Sequence, residues 1–295
     1  MSGKPIVVTH SGNFHADDVL AVAVLDILLG GNYTLIRTRD PEIIKTGDYV
    51  VDVGGEYDPA RNRFDHHQDG GAGKRKNGIP YSAFGLVWKQ FGHMIAESQE
   101  AAESIDAKIG EYIDADDNGI DVNTPIYDIN TYTFPQIIKL FRPGWKGSES
   151  DDEGFANALQ FAKDILQREI RNARDNISAR DVAKRSYDRA EDKRVVVLDE
   201  FVPVSDLLEI HPDILFVVYP TKEEGRWGVK AAPKDEHTFE ARKPFPKEWA
   251  GKRGEEFARI SGVADGYYCH HSGNFIALAN SKEGAIALAH LAVNV

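Results

Sequence analysis

The sequence predicts an α/β protein in which a parallel, doubly wound sheet is followed by a second, smaller α+β domain. Three observations lead there. Between residues 5 and 53, short apolar runs alternate with helical stretches, the pattern of parallel strands joined by helical crossovers. From Val195 onward the pattern changes to closely spaced short strands. The chain has 295 residues, and at about 250–300 residues a single core stops growing and chains divide. The division is expected near 190, giving domains over 1–190 and 191–295.

Ile6 to Thr9 reads as the first strand, followed by a helix from about Ala16 to Leu29 that Gly30-Gly31 terminates. Tyr33 to Arg37 is the next strand, Asp40-Pro41 opens a short helix, and Tyr49 to Val53 is a buried strand. A glycine-rich loop over Gln68 to Pro80 carries Lys74-Arg75-Lys76. Further helices run from Tyr81-Ser82 to about Ile95 and from about Ser98 to Asp114. Asp152 to Asp192 is too long for a typical globular helix without a break, so one bent helix or two are expected, spanning between domains. The second half offers strands at Val195–Leu198, Ile214–Tyr219, Trp227–Ala231, Tyr267–Cys269 and Asn274–Leu278, then a helix from Lys282 with Ser281 as N-cap.

Hydrophobic residues make up 42% of the chain, enough to build cores. No apolar run reaches the roughly 18–20 residues of a membrane span, and Asp26 interrupts the longest helical candidate. The first strand begins by Pro5, which leaves no room for a signal or transit peptide. The single cysteine, Cys269, rules out an internal disulfide and fits a reducing compartment, so a cytoplasmic location is expected. A net charge of -12 argues against a protein that coats extended duplex DNA. The basic excess is local, over Arg168–Arg194 and Arg226–Arg253, where it reads either as an anion-binding surface or as ordinary solvated helix and loop faces.

Ligand sites in open parallel sheets form beyond the carboxyl ends of the strands. There the chain places His10, His15, Asp17 and Asp18 after the first strand, and Asp52 at the end of another. Asp65-His66-His67 adds a third cluster. Imidazole and carboxylate in this number suffice for two divalent cations and point to metal-assisted phosphoester hydrolysis. The plainer alternatives are that Asp17 and Asp18 only offset the positive helix end, and that Asp52 is an exposed acid at the strand mouth. His66 and His67 are expected to divide the work in a turn, one binding metal and the other facing a phosphate, with Asp65 fixing a ring tautomer. The acidic run Asp114 to Gly119 lacks the closing glutamate of a calcium loop and is expected to give one carboxylate to the same metal pair.

These ordered clusters resemble the DHH phosphoesterase superfamily and, more closely, the melanocyte proliferating gene (MYG) family. The resemblance rests on Thr9 to Asp18, Arg37 to Pro41, Val51 to Pro59, Asp65-His66-His67-Gln68 and Asp117-Asn118-Gly119-Ile120. It extends through Trp227, Pro233 and His271-Ser272-Gly273-Asn274-Phe275, and so covers nearly the whole chain. It implies a DHH-like fold, two manganese-type ions (magnesium or cobalt as alternatives) and phosphodiester hydrolysis, with 3′–5′ exonuclease action on RNA or short oligonucleotides as the expected direction. By the same resemblance, His10 and Asp17 match ligands of the first motif, Asp52 the bridging acid, His66 a ligand, His67 the phosphate-facing histidine and Asp117 the acid of the fourth motif. His15 stands where the wider superfamily has its first aspartate and is counted among the ligands. The second domain lacks the glycine-rich substrate motif of typical DHH-associated domains, and Cys269 to Asn274 stands in its place.

The resulting expectation is a two-metal hydrolase with metal ligands His10, His15, Asp17, Asp52, His66 and Asp117, and catalytic roles for His67 and Asp65. Arg39, Lys74, Arg75, His270, His271, Ser272, Gly273 and Asn274 are the expected substrate contacts, and a cleft between the domains would hold the scissile phosphate. The rivals are a small-molecule phosphatase or pyrophosphatase, a dinucleotide phosphodiesterase, and a non-catalytic nucleotide- or RNA-binding regulator. Oligomeric state is left open, a homo-oligomer included.

Overall fold

The computed structural model describes residues 3–125, 127–223, 225–235, 238, 240–272 and 275–295. The chain is α/β, with two mixed five-stranded sheets, and divides into compact units over 1–174 and 175–295.

The first unit runs β1 (Ile6–Thr9), α1 (Ala16–Leu28), β2 (Thr34–Arg37), α2 (Pro41–Ile44), β3 (Tyr49–Val51), β4 (Tyr57–Asp58), β5 (Arg63–Phe64), α3 (Ala83–Ala96), α4 (Gln99–Ile105), α5 (Glu111–Asp117) and α6 (Phe134–Lys139). Helix α7 (Asp151–Arg189) continues past the unit boundary without a break. The expected boundary near 190 falls at its end. Sheet order is β2-β1-β3-β5-β4, so the chain leaves β1 for one neighbour and returns to the other side as β3. That reversal sets the carboxyl ends of β1 and β3 side by side, the position where open sheets form ligand crevices.

The pairs β1–β2, β1–β3 and β3–β5 are parallel as expected, but β4 runs antiparallel to β5. The sheet is therefore mixed rather than parallel. The physical cause is local: Pro59 starts a single 3₁₀ turn and Asn62 takes a left-handed conformation, which folds β4 back on β5 as a hairpin. Strands of two residues leave no periodicity to read, so neither is visible in the sequence.

Helix α1 is buried continuously from Ala16 to Leu25, through the acids Asp17 and Asp18 and the apolar run Val19–Leu25. Ile44 of α2 packs on Val8, Val50 and Val53. The run expected as one helix from Ser98 is α4, a π-helical stretch over Asp106–Gly110, and α5. A single widened turn of five residues is too short for the sequence period to announce.

The second unit contains β6 (Val195–Val197), α8 (Ser205–Ile210), β7 (Phe216–Pro220), β8 (Trp227–Ala231), α9 (Gly254–Ser261), β9 (Gly266–Cys269), β10 (Ile276–Ala279) and α10 (Lys282–Asn294), with sheet order β6-β7-β8-β10-β9. Only β6–β7 is parallel among its described pairs. Ala285, Leu288, Ala289 and Ala292 of α10 share a core with Phe216, Val218, Val229 and Cys269. Ser281 caps α10 by accepting from the Gly284 amide at 2.9 Å. No described helix is long and apolar enough to cross a membrane.

Cys269 is fully buried in this core, and burial pushes its thiol up to about 12. The thiolate is the reactive form. Native protein should therefore react only slowly with a disulfide reagent across pH 7 to 9, with the rate still rising with pH and no plateau in that range. Denatured protein should react at once with one thiol per chain. Fast labelling of the native state would contradict this placement.

Candidate metal centre

Three segments deliver the side chains. β1 ends at Thr9 and the chain turns through His10 to His15 before α1. β3 ends at Val51, and Asp52 takes a left-handed backbone conformation (φ 56°). A non-glycine residue held there costs about 1–3 kcal/mol, and such strain collects at functional sites. Asp52 is followed by Gly54 and Gly55, whose positive φ turns the chain sharply away. The Gly55 amide donates to Asp65 Oδ2 at 2.5 Å, tying this turn to the Asp65-His66-His67 segment.

Asp52 lies between two groups. Its Oδ2 stands 3.2 Å from His10 Nε2, and its Oδ1 stands 3.3 Å from His66 Nε2 and 3.5 Å from His67 Nδ1. His10 Nε2 is also 3.1 Å from Asp18 Oδ2. His66 Nε2 is 3.2 Å from Asp117 Oδ2 and 3.9 Å from Asp17 Oδ2. Ligand-type atoms converge in three sets: His10, Asp18 and Asp52; Asp52, His66 and His67; and His15, Asp17 and Asp117. Asp52 is common to two of them. Every residue expected as a ligand is thus brought to one place, with His67 and Asp65 beside them.

Asp18, which is not among the expected ligands, completes the first set. It also serves the helix end with one oxygen. Oδ1 accepts from the amides of His15 (2.8 Å) and Val19 (2.7 Å), which leaves Oδ2 facing His10. No periodicity separates the two duties. Asp65 accepts from His67 Nδ1 at 2.7 Å and from the His66 and His67 amides. His10 Nδ1 is 3.2 Å from the Ser11 carbonyl and 3.1 Å from Arg39 Nη2. A proton on Nδ1 suits the Ser11 carbonyl, whereas the Arg39 donor requires a lone pair there, so the two contacts belong to different tautomers. Nε2 faces Asp18 and Asp52 in either.

The electrostatics call for added positive charge. Asp17, Asp18 and Asp52 are buried. Burial, then repulsion from Asp52 and Asp117, drives the Asp17 carboxyl well above its ordinary range. Burial also raises Asp18 and Asp117. Burial opposes the charged forms of His10 and Asp52 too, but their contacts prevail: Asp18 and Asp52 raise His10 to about 10, and His10 and His66 lower Asp52 to about 2. Both oxygens of Asp17, Asp18 Oδ2, Asp52 Oδ1 and His66 Nε2 are buried with no aligned hydrogen bond, although imidazole nitrogens and carboxylate oxygens lie close. Buried acceptors in that number are costly unless a cation takes them up. Mixed nitrogen and oxygen donors suit a transition-type divalent ion.

A cleft of about 540 Å³ opens over His15, Asp52, His66, His67, Asp117, Asn118 and Lys139. Lys139 is its basic side chain and has no sequence signal, since α6 is a helix of under two turns. Arg39, expected to contact substrate, adjoins His10 and is not among the residues lining the cleft. Lys74 is exposed and its backbone pairs with Pro80, outside the cleft lining.

Arg75 corrects the expectation of a substrate contact. Its guanidinium is buried and held by Asp106 (2.7 and 2.8 Å) and Asp114 (2.6 Å). Asp114 also accepts from the Ser82 hydroxyl and amide. The arginine anchors α5, whose last residue is Asp117. In the second unit, His270 Nδ1 contacts Ser272 Oγ at 2.9 Å and the His270 and His271 rings adjoin at 4.1 Å. Gly273 and Asn274, also expected to touch substrate, lie outside the described residues.

Fold and site together define an α/β protein with a candidate divalent-cation cleft at the carboxyl ends of its strands. Comparison with known families places it further. The model of the MYG1 exonuclease family, described as uncharacterised protein family UPF0160, matches residues 6–293. The chain is 31% identical to MYG1 exonuclease of Homo sapiens over 98% of its own length and 86% of that protein. It is 33% identical to MYG1 exonuclease of Rattus norvegicus, covering 98% and 84%. The MYG1 protein of Chlamydia muridarum is 32% identical over 93% of this chain and 92% of its own. The chain belongs to the MYG1 family.

This geometry can be tested by metal binding and by unfolding. Mn²⁺ added to chelator-treated protein should raise its melting temperature, by an amount equivalent to about 2.7 kcal/mol at a hundredfold excess over Kd, and Asp52→Asn should remove most of the rise. An unchanged melting curve would contradict the cation reading. Arg75→Ala should cost about 3–5 kcal/mol in denaturant unfolding, because it strands the buried Asp114 carboxylate. A loss below about 1 kcal/mol, ordinary for a surface residue, would return Arg75 to the substrate surface.

Proposed function

We propose that this protein is a metal-dependent phosphodiester hydrolase with a DHH-like, doubly wound catalytic domain. It acts as a 3′–5′ exonuclease on RNA or short oligonucleotides by a two-metal mechanism. The observation that carries the reading is the position of Asp52, whose two oxygens face different ligand sets, as a carboxylate shared between two cations requires. The relatives named exonucleases support it. Manganese is the proposed ion, and a single unbridged cysteine supports a cytoplasmic location.

His10, Asp18 and Asp52 would hold one ion, and Asp17, Asp52, His66 and Asp117 the other, with His15 beside the second set. When bound, such a pair lowers the pKa of a shared water toward about 7 and neutralises charge on the phosphoryl oxygens. The remaining work belongs to side chains. Asp65 holds His67 through Nδ1, and that hydrogen bond raises the imidazole's affinity for its proton. His67 lines the open side of the cleft and donates to a phosphate oxygen or the leaving group. Lys139 attracts the phosphate, while Arg39 keeps His10 in place. The second unit, with His270, His271 and Ser272, is the proposed substrate-binding domain.

The direct test is Mn²⁺-supplemented hydrolysis of 5′- and 3′-labelled RNA and DNA oligomers, with pyrophosphate and dinucleotides alongside. Stepwise shortening from the 3′ end is expected, and Asp52→Asn should lower turnover by at least about 10³-fold with the fold retained. His67→Ala should lower kcat more than it raises KM. Turnover of pyrophosphate alone would move the assignment to a small-molecule phosphatase. Tight RNA binding without turnover would leave a non-catalytic regulator.

A further inference from the structure

Trp145 is 90% exposed, more than any other large apolar side chain among the described residues. The Lys146 ammonium stands 4.5 Å from the centre of its ring. A ring of this area left in water, with a cation against it, is available for stacking by a ligand.

The segment carrying Trp145 is tied on both sides to the turn that carries His10 and His15. Before it, Lys139 lines the cleft, and Arg142 Nε donates to the Phe14 carbonyl at 2.7 Å, one residue from His15. After it, Asp152 pairs with Arg37 at 2.7 Å, and Arg37 Nη2 donates to the Gly12 carbonyl at 2.5 Å. Trp145 is three residues from Arg142, so at most roughly 11 Å of chain separates it from a residue that touches the ligand turn. The indole thus sits on a segment whose two ends are tied to the ligand-bearing turn, and it is left uncovered.

Charge decides what it suits. The chain carries a net charge of -12, and the cleft is lined by carboxylates, so phosphate attraction is a weak source of affinity for a strand. Bases offer an alternative, because any unpaired base presents a π-face to an aromatic ring, and a neighbouring cation strengthens the contact. We propose that Trp145, with Lys146, is a stacking platform for a base of single-stranded nucleic acid whose terminal phosphodiester lies in the cleft. This rests on the phosphodiesterase reading above and deepens it: the substrate is a strand of several nucleotides, with little base specificity, rather than a dinucleotide or pyrophosphate.

The test compares wild type, Trp145→Ala and Trp145→Phe. Binding of a fluorescein-labelled ten-nucleotide single strand is read by anisotropy in chelator, where cleavage is suppressed. Mn²⁺-dependent kinetics are then read on the same oligomer and on bis-p-nitrophenyl phosphate. Trp145→Ala should weaken strand binding about tenfold and raise the oligomer KM to match, leave the chromogenic substrate unchanged, and be largely rescued by Trp145→Phe. Equal strand binding by wild type and Trp145→Ala would overturn the proposal. So would parallel loss on both substrates, or a shift to a smaller sedimenting species with strand binding intact, which would assign the indole to a protein interface. If no phosphodiester is cleaved at all, the enzymatic reading fails, while the anisotropy still decides whether Trp145 stacks on a strand.

Discussion

Four carboxylates, Asp17, Asp18, Asp52 and Asp117, are folded into one small region of low polarity, and the first unit is built around making that tolerable. Each would repel the others if ionised in isolation, and three of them are pushed toward the neutral form by burial. In the absence of a cation, a proton on His10 carries part of the compensating charge, which is why Asp18 and Asp52 raise it so far. A sequence under selection for stability alone has no reason to assemble such a cluster. Divalent cations bound there would make it favourable.

The surrounding structure reads as the apparatus that holds the cluster in place. The return of the chain from β2 to the far side of β1 brings Asp52 next to His10. The left-handed turn at Asp52 aims its two oxygens at different neighbours. Arg75, Asp106, Asp114 and Ser82 form a buried network under α5 that holds Asp117 at the helix end. Arg37 at the end of β2 and Arg142 just past α6 donate to the carbonyls of Gly12 and Phe14, and Asp152 of α7 holds Arg37 in turn. The ligand turn is thus braced by residues far along the chain. These arginines offset acidity near the site by hydrogen-bonding to backbone, without lining the cleft.

Much of this is legible in the sequence, for physical reasons. The apolar runs of β1, α1 and β3 announce their periods, and an acid or histidine at the end of such a run has few destinations other than a site. Hence His10, Asp17, Asp52, His66 and Asp117 stand out. Residues whose role depends on distant partners do not. Arg75 reads as part of a basic loop until Asp106 and Asp114 arrive to bury it. Asp18 reads as a helix-end acid until His10 is placed opposite its second oxygen. Lys139, the β4–β5 hairpin and the five-residue π-helical stretch lie on elements too short to carry a pattern.

The central claim is that one carboxylate, Asp52, joins two cation sites. Electron paramagnetic resonance of chelator-treated protein titrated with Mn²⁺ tests it most directly. At two equivalents, wild type should give the broadened signal of two exchange-coupled ions, and Asp52→Asn the six-line spectrum of isolated ones. A six-line spectrum of magnetically isolated ions from the loaded wild-type protein, or no bound Mn²⁺ at all, would contradict the account.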